Sequence, residues 1–430
     1  MKNNQNQQIQ KQKVAIITLG CKVNQYESDS IALALSKKGY DVQAGLVPAD
    51  IYVLNTCAVT NEGERKSRGH VAKILKLNPN AKIYVCGCAA HFAPEKLSSK
   101  PNVQFVTGTA AKMDIVKAIT KDIVGEHVVA PPTTYEDNMK SMQTRTRAFV
   151  KIQDGCNSFC SYCIIPYLRG RSRSRSLESI KSELDSIKSR EVVFAGVDIS
   201  EYGKDLECKP TLVDVVELMR GRTTRFRFSS LEMGSVSKEL LKHLSTMENF
   251  CPHFHLSMQS GSNSVLKRMN RKHSKEEFLQ TVDDIRKVFP NAGITTDIIV
   301  GFPGETKQEF AETVQTSKRA SFFEMHVFPF SPREGTVAAK MPELSGTIVK
   351  ERAKELSEIG KQMKQQFLQK QVGLVHEVLV EKSTETEAEG YAKNYVRVRF
   401  KTEKPVEIGQ IVLVEAIGAN SESVFGKLQK

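Results

Sequence analysis

Ala148-Phe149-Val150-Lys151-Ile152 leads into Cys156-Asn157-Ser158-Phe159-Cys160-Ser161-Tyr162-Cys163. The first run is short and apolar and reads as a strand. The second places three cysteines at the spacing C-x3-C-x2-C. Thiolates so close on one loop can all reach a single small inorganic centre. A structural zinc site is closed by four ligands, and the fourth is missing locally. An iron–sulfur cube held by three cysteines leaves one iron open to bind and cleave a small molecule. A zinc knuckle completed by a distant Cys or His is the competing reading.

Downstream of this loop, strand and helix signals alternate. Strands are expected at 192–196, 225–230, 253–258, 295–301 and 324–330, with helices at 177–188, 212–219, 238–245, 275–288 and 307–318. With the delivering strand this makes six βα units, enough for an open, partial (β/α) barrel. Such barrels carry their sites at the carboxyl ends of the strands, where the cysteine loop falls. Gln259, Ser260 and Asp297 stand near later strand ends. They are donors and acceptors of the kind a bound nucleotide needs, although Gly, Pro and Ser also stop strands for structural reasons. Gly261, Gly301 and Gly304 would allow close backbone approach.

The region 13–125 alternates in the same way. Lys13 to Leu19 ends at Gly20-Cys21, Ile51 to Thr56 ends at Cys57, and Lys82 to Gly87 ends at Cys88. A fourth strand is expected at 103–106, with helices at 28–38, 62–77 and 110–119. This pattern predicts a doubly wound parallel sheet, whose ligands bind along the carboxyl edge. Three cysteines just past strand ends would converge there and could hold a second metal centre. A buried free cysteine is the bland alternative for each. Cys86 competes with Cys88 for the third place; Cys88 follows the Gly turn and is preferred.

The chain has 430 residues, enough for two or three domains. Its polar start, 1–12, is expected to be disordered and lacks the apolar core of a signal peptide. No stretch reaches the roughly 18 apolar residues that span a bilayer, so a cytosolic protein is expected. In that compartment nine cysteines are better read as reactive or metal-bound than as disulfides. The net charge of +13 favours a polyanionic partner, nucleic acid first. Residues 126–146 read as a linker and 147–370 as the central domain, which ends in a long charged helix candidate at 347–371. Beyond it the period changes to two at 377–381, 395–400 and 410–414. This pattern supports a small β domain over 371–430 and suggests a small β-barrel. Tyr391, Lys393, Tyr395, Arg397 and Arg399 are its RNA-contact candidates. Arg169, Arg171, Arg173 and Arg175, just after the cysteine loop, could grip phosphates or form a solvated basic segment. Cys208 and Cys251 have no assigned role.

Several strings carry a resemblance. The C-x3-C-x2-C spacing is that of radical S-adenosylmethionine (SAM) enzymes. Thr18-Leu19-Gly20-Cys21-Lys22-Val23-Asn24-Gln25-Tyr26-Glu27-Ser28, Asn55-Thr56-Cys57-Ala58-Val59-Thr60 and Gly87-Cys88-Ala89-Ala90 resemble the methylthiotransferases. Within that family they resemble the MtaB type, which acts on threonylcarbamoyladenosine in tRNA. Cys86 departs from the family pattern. His255 with Gln259-Ser260-Gly261-Ser262, Gly301-Phe302-Pro303-Gly304-Glu305-Thr306, and Ser331-x-Arg333-x-Gly335-Thr336 match the family's core. The final barrel resembles a TRAM domain.

The resemblance implies two 4Fe-4S clusters, one on Cys156, Cys160 and Cys163 and an auxiliary one on Cys21, Cys57 and Cys88. It implies SAM in two roles, as radical source and as methyl donor. The partners it implies are tRNA, a reductant such as flavodoxin or ferredoxin, and a sulfur source. The expected product is 2-methylthio-N6-threonylcarbamoyladenosine next to the anticodon. Isopentenyladenosine in tRNA, a ribosomal protein as substrate, and a non-catalytic zinc-bearing RNA-binding protein are the alternatives.

Overall fold

The computed structural model describes residues 11–137, 139–140 and 146–429. The start expected to be disordered lies almost wholly outside that range. The described residues form two compact units: the first runs to Pro132 and includes 139–140, and the second takes Thr133–Asp137 and the chain from 146 onward.

The first unit is built on a six-stranded parallel sheet. Its strands are β1 (Lys13–Thr18), β2 (Asp41–Ala44), β3 (Ile51–Thr56), β4 (Lys82–Gly87), β5 (Val103–Thr107) and β6 (Gly125–His127), in the order β2-β1-β3-β4-β5-β6. Helices Lys22–Lys37, Asn61–Leu77 and Asp114–Lys121 supply its main crossovers. All six residues of β3 are buried, as a central parallel strand requires. The edge strands β2 and β6 were not expected. Both are short and largely exposed, so neither carries a hydrophobic signature. β6 also draws the start of the expected linker into the sheet.

In the second unit, strands Arg147–Lys151, Glu191–Ala195 and Arg225–Phe228 form one parallel sheet. The last of these breaks at Ser229 and resumes as Ser230–Leu231. That short piece pairs with His253–Gln259, which is followed by Gly293–Val300 and Glu324–Pro329. The result is the expected six-stranded partial barrel. Phe254, Leu256, Ile294 and Ile298 pack on one face with the helices' Phe278, Val282 and Phe310. The charged helix Gly346–Gln369 follows. The chain then closes a five-stranded barrel from Val375–Ser383, Glu387–Ala392, Arg397–Lys401, Ile411–Ala419 and Val424–Leu428. Phe323 and Leu368 complete this barrel's hydrophobic core, which makes it continuous with the central domain. Among the described residues no helix is long and apolar enough to cross a membrane.

Candidate active site

The loop Cys156–Cys163 leaves its strand through a turn that only glycine can make. Gly155 has φ +73, and a Cβ there would lie 1.9 Å from the Arg171 carbonyl oxygen. Gln153 clamps the turn. Its amide donates to the carbonyl of Gly155 at 2.7 Å and to Ser172 Oγ at 2.9 Å. Its oxygen accepts from the backbone of Val197 and Asp198 at the end of the neighbouring strand. Asp198 then accepts from Ser158 Oγ at 3.1 Å and stands 3.5 Å from Cys156 Sγ. On the other side Asn270 donates to the Phe159 carbonyl, and Ser161 donates to the backbone of Arg268 and Met269. The loop is therefore preorganised from both flanks. The family string around Arg333 takes part: the Ala338 amide just beyond it donates to the Ser161 carbonyl.

All three loop sulfurs are partly buried. Burial, with Asp198 beside it, pushes the Cys156 thiol up to about 12, and burial does the same to Cys163. The cation adjacent to the trio is Arg271, whose Nη1 lies 3.4 Å from Cys160 Sγ. Clustered cysteines, two of which, Cys156 and Cys163, resist becoming bare thiolates, are suited to a centre that brings its own positive charge. The donor set fits an iron–sulfur cluster. Beside Cys160 a cavity of 210 Å³ opens, lined among others by Ser158, Glu232, Asn270, Arg271 and His273. Arg271, Asp198, Glu232 and Gln153 escaped sequence reading, because no motif or spacing marks them.

In the first unit Cys21 caps the helix Lys22–Lys37, Cys57 follows β3, and Cys88 opens the short helix after β4. All three stand at the carboxyl ends of adjacent parallel strands. The loops touch: a Cβ on Gly20 would meet the Cys57 sulfur at 3.0 Å. The motif residues around the cysteines tie the loops together. Asn24 donates to the carbonyls of Leu19 and Thr56. Asn55 donates to the Asn24 carbonyl and Ser28, and Thr56 Oγ1 donates to the Cys86 carbonyl while accepting from the Ala90 amide. Cys86 itself is fully buried among Val14, Val53, Tyr84 and Phe105. Its side chain is a core residue, while Cys88, also buried, lies past the carboxyl end of the strand.

Other expected site residues fall differently. Ser260 is fully buried, with its hydroxyl 3.2 Å from Thr313 Oγ1 and accepting from the Ser262 amide, so it is spent on the turn rather than offered to a nucleotide. Gly261 and Gly301 admit the chain's own neighbours, Thr316 and Val349. Gln259 ends its strand in the left-handed region, φ +64, which is unusual for a non-glycine and frequent at functional positions. Asp297 turns its carboxylate to His255 at 3.3 Å. Arg169, Arg173 and Arg175 are buried, so neither a phosphate grip by all four arginines nor a solvated basic segment describes this stretch. Asp154 accepts from Arg169 at 3.0 Å and lies 3.6 Å from Arg173, while Arg175 pairs with Glu183 and Asp137. Burial alone would raise the Asp154 carboxyl, but Lys151, Arg169 and Arg173 hold it far below the usual range. Of the four, Arg171 is exposed, over the Phe159 ring.

Tyr395, an expected RNA contact, is partly buried against its own chain. It stacks on His253 with ring centroids 4.6 Å apart, and the Arg227 guanidinium lies 4.7 Å from its centroid. Arg225 donates to the carbonyls of Glu377 and Tyr391, and Arg227 to that of Lys393. Both arginines also pair with buried Glu191. This edge of the C-terminal barrel is thus anchored to the central domain. Arg397 pairs with Glu389 at 2.6 Å and is part exposed.

A six-stranded partial barrel with three cysteines on the loop after its first strand defines a radical SAM protein. Residues 150–316 match the radical SAM superfamily and residues 13–108 the uncharacterized protein family UPF0004. The chain is 37% identical to a threonylcarbamoyladenosine tRNA methylthiotransferase MtaB of Chlamydia pneumoniae, over 96% of this chain and 97% of that one. It is 39% identical to the MtaB of Thermotoga maritima, over 90% and 91%. It is 33% identical to a tRNA-2-methylthio-N(6)-dimethylallyladenosine synthase of Desulfitobacterium hafniense, over 96% and 97%. The cobalamin-dependent radical enzyme OxsB shares the fold, with TM-score 0.51 and 15% identity over 81% of this chain and 56% of that one. So does the methyltransferase TsrM, with TM-score 0.51 and 11% identity over 76% and 77%. The chain belongs to the radical SAM methylthiotransferase family. It is an enzyme of sulfur insertion and methyl transfer, and its fold implies SAM and a 4Fe-4S cluster.

Proposed function

We propose that the enzyme methylthiolates C2 of N6-threonylcarbamoyladenosine next to the anticodon of tRNA. The observation that carries this reading is the pair of three-cysteine sets, each at the carboxyl edge of its own parallel sheet. The C2–H of adenine is neither acidic nor electrophilic, so ordinary acid–base groups cannot activate it. Bound clusters and SAM supply the electron, the carbon radical, the sulfur and the methyl group that this carbon demands. Cys156, Cys160 and Cys163 hold the SAM-cleaving cluster, and Cys21, Cys57 and Cys88 hold the auxiliary one. The chain's own part is positioning. Gln153, Asp198 and Arg271 fix the cysteine loop, Asn24, Asn55 and Thr56 fix the three N-terminal loops, and Gln259 meets polar groups of the nucleotide. Arg171 and Arg397 contribute to RNA contact. The threonylcarbamoyl substrate is supported by the Cys-Lys-Val-Asn and Asn-Thr-Cys strings and by the names of the relatives of 34–39% identity. A flavodoxin- or ferredoxin-class reductant, a sulfur source and a cytoplasmic site complete the proposal.

The test is nucleoside mass spectrometry of tRNA from a strain lacking the gene, complemented with wild type or Cys156→Ala. The methylthio-threonylcarbamoyl nucleoside should vanish, return with wild type and stay absent with the variant. If the dimethylallyl counterpart disappears instead, the substrate assignment falls and the chemistry stands. No change in either nucleoside overturns the tRNA assignment.

A further inference from the structure

His255, Asp297 and His326 come from three consecutive parallel strands of the central domain. Asp297 and His326 are register partners, and His255 is paired with Thr295, two residues before Asp297. Strand alternation puts the three on one face. Phe254, Leu256 and Ile298 lie on the opposite face, against the helices. One donor atom from each of the three lies within 4.8 Å of the other two. We propose that these residues, none of which belongs to either cysteine set, form a binding site for a divalent transition-metal ion.

Two imidazoles and a carboxylate are a frequent donor set for zinc and other first-row ions. Donors held about 2.1 Å from one ion stand roughly 3–4 Å apart. His255 Nε2 and Asp297 Oδ2, at 3.3 Å, already meet that spacing. His326 is exposed, so a modest side-chain rotation brings its ring to the same point. The outer contact is also built. Thr295 Oγ1, itself buried, lies 2.9 Å from His255 Nδ1, which orients the ring and leaves Nε2 toward Asp297. Such partners of a ligating histidine fix its tautomer and ring orientation. A simple His255–Asp297 hydrogen bond would need neither the second imidazole nor the shared face.

Three protein ligands leave at least one position for an oxygen donor. A threonylcarbamoyl group offers a carboxylate and a hydroxyl that can chelate, whereas a dimethylallyl group offers neither. This second step rests on the proposed substrate; the metal site does not.

The experiment uses the anaerobic holoenzyme, dialysed against buffered zinc, with metal and iron counted and the zinc K-edge spectrum recorded. Wild type should retain about one zinc per chain with a nitrogen and oxygen shell and no sulfur. Asp297→Ala and His326→Ala should each lose it, with iron and sulfide unchanged. Zinc retained equally by the variants, a sulfur shell, or no zinc in wild type overturns the site. Adding the nucleoside N6-threonylcarbamoyladenosine should raise zinc affinity several-fold, while adenosine should not. Equal effects of the two nucleosides overturn the chelation step alone.

Discussion

Arg271 places one guanidinium nitrogen 3.4 Å from the Cys160 sulfur and uses the other to grip Glu232 and the Ser257 carbonyl. The cation is buried and held in one orientation, hydrogen-bonded to the Cys160 sulfur, and its charge also favours the thiolate of Cys163. Hydrogen bonds and positive charge at cluster sulfurs raise the reduction potential. Arg271→Met should therefore lower the potential of the cluster held there. It should also slow 5′-deoxyadenosine formation by about 10- to 100-fold, the usual cost of an outer-shell partner. Spectroscopic redox titration and product assay check this. An unchanged potential in a variant with full iron would remove Arg271 from the site.

Cys86 and Cys88 are two residues apart yet have different surroundings. Cys86 packs among Val14, Val53 and Phe105, and Cys88 begins the helix beyond Gly87. Cys88→Ala should cut the iron content toward half while SAM cleavage persists. Cys86→Ala should keep the iron and cost only the packing of a small side chain. Iron and sulfide analysis distinguishes them, and the reverse result would exchange their roles.

Lys112 and Glu27 form an ion pair with almost no solvent contact, and Lys112 also reaches Asn55 and Asn24. Those asparagines tie down the loops that bear Cys21 and Cys57. Removing one partner of a buried pair strands the other, at a cost of about 4 kcal/mol. Lys112→Met should destabilise the first unit by that amount and lower cluster occupancy. Lys112→Met with Glu27→Leu should recover most of the stability. Denaturant unfolding of the two variants measures the difference; equal losses would mean that the charge of Glu27 is not what matters.

Much of this was legible in the sequence. Apolar runs that stop at Cys21, Cys57 and Cys88 located β1, β3 and β4, and the alternation after Cys163 located the partial barrel. Strands such as Asp41–Ala44 and Gly125–His127 were not, because exposed edges carry no hydrophobic period. The arginine run misleads for a related reason. Arg169-x-Arg-x-Arg-x-Arg175 looks like an exposed basic strip, but Asp154 and Glu183 reach it from elsewhere in the chain. Burial of a charge depends on partners that local spacing does not reveal. Tyr395 is similar: local sequence shows an aromatic ring among basic residues and not that Arg147, Arg227 and His253 gather around it.

Arg171 and Tyr395 should therefore behave oppositely. Arg171→Ala removes an exposed cation. It should weaken tRNA binding and reduce the slope of log affinity against log salt by about one, with little change in stability. Tyr395→Ala removes a ring stacked on His253 and faced by two guanidiniums. It should cost about 2–3 kcal/mol of stability, with a smaller direct effect on tRNA affinity. Salt-dependent binding and thermal unfolding on both variants check the pair; a tRNA defect confined to Tyr395→Ala would reverse the assignment.

His273 lines the cavity beside Cys160, and its Nε2 is buried without a hydrogen-bond partner. Burial and the nearby Arg271 charge lower its pKa from 6.5 to about 4. The folded protein thus keeps the ring neutral where the unfolded chain protonates it. Stability from this group is complete above pH 6.5 and is lost progressively as pH falls toward 4. Between pH 7.5 and 5.5 the loss should be about 1 kcal/mol. His273→Gln should flatten that part of the profile. Urea unfolding at the two pH values measures it, and an equal slope in both proteins would show that His273 is solvated in solution.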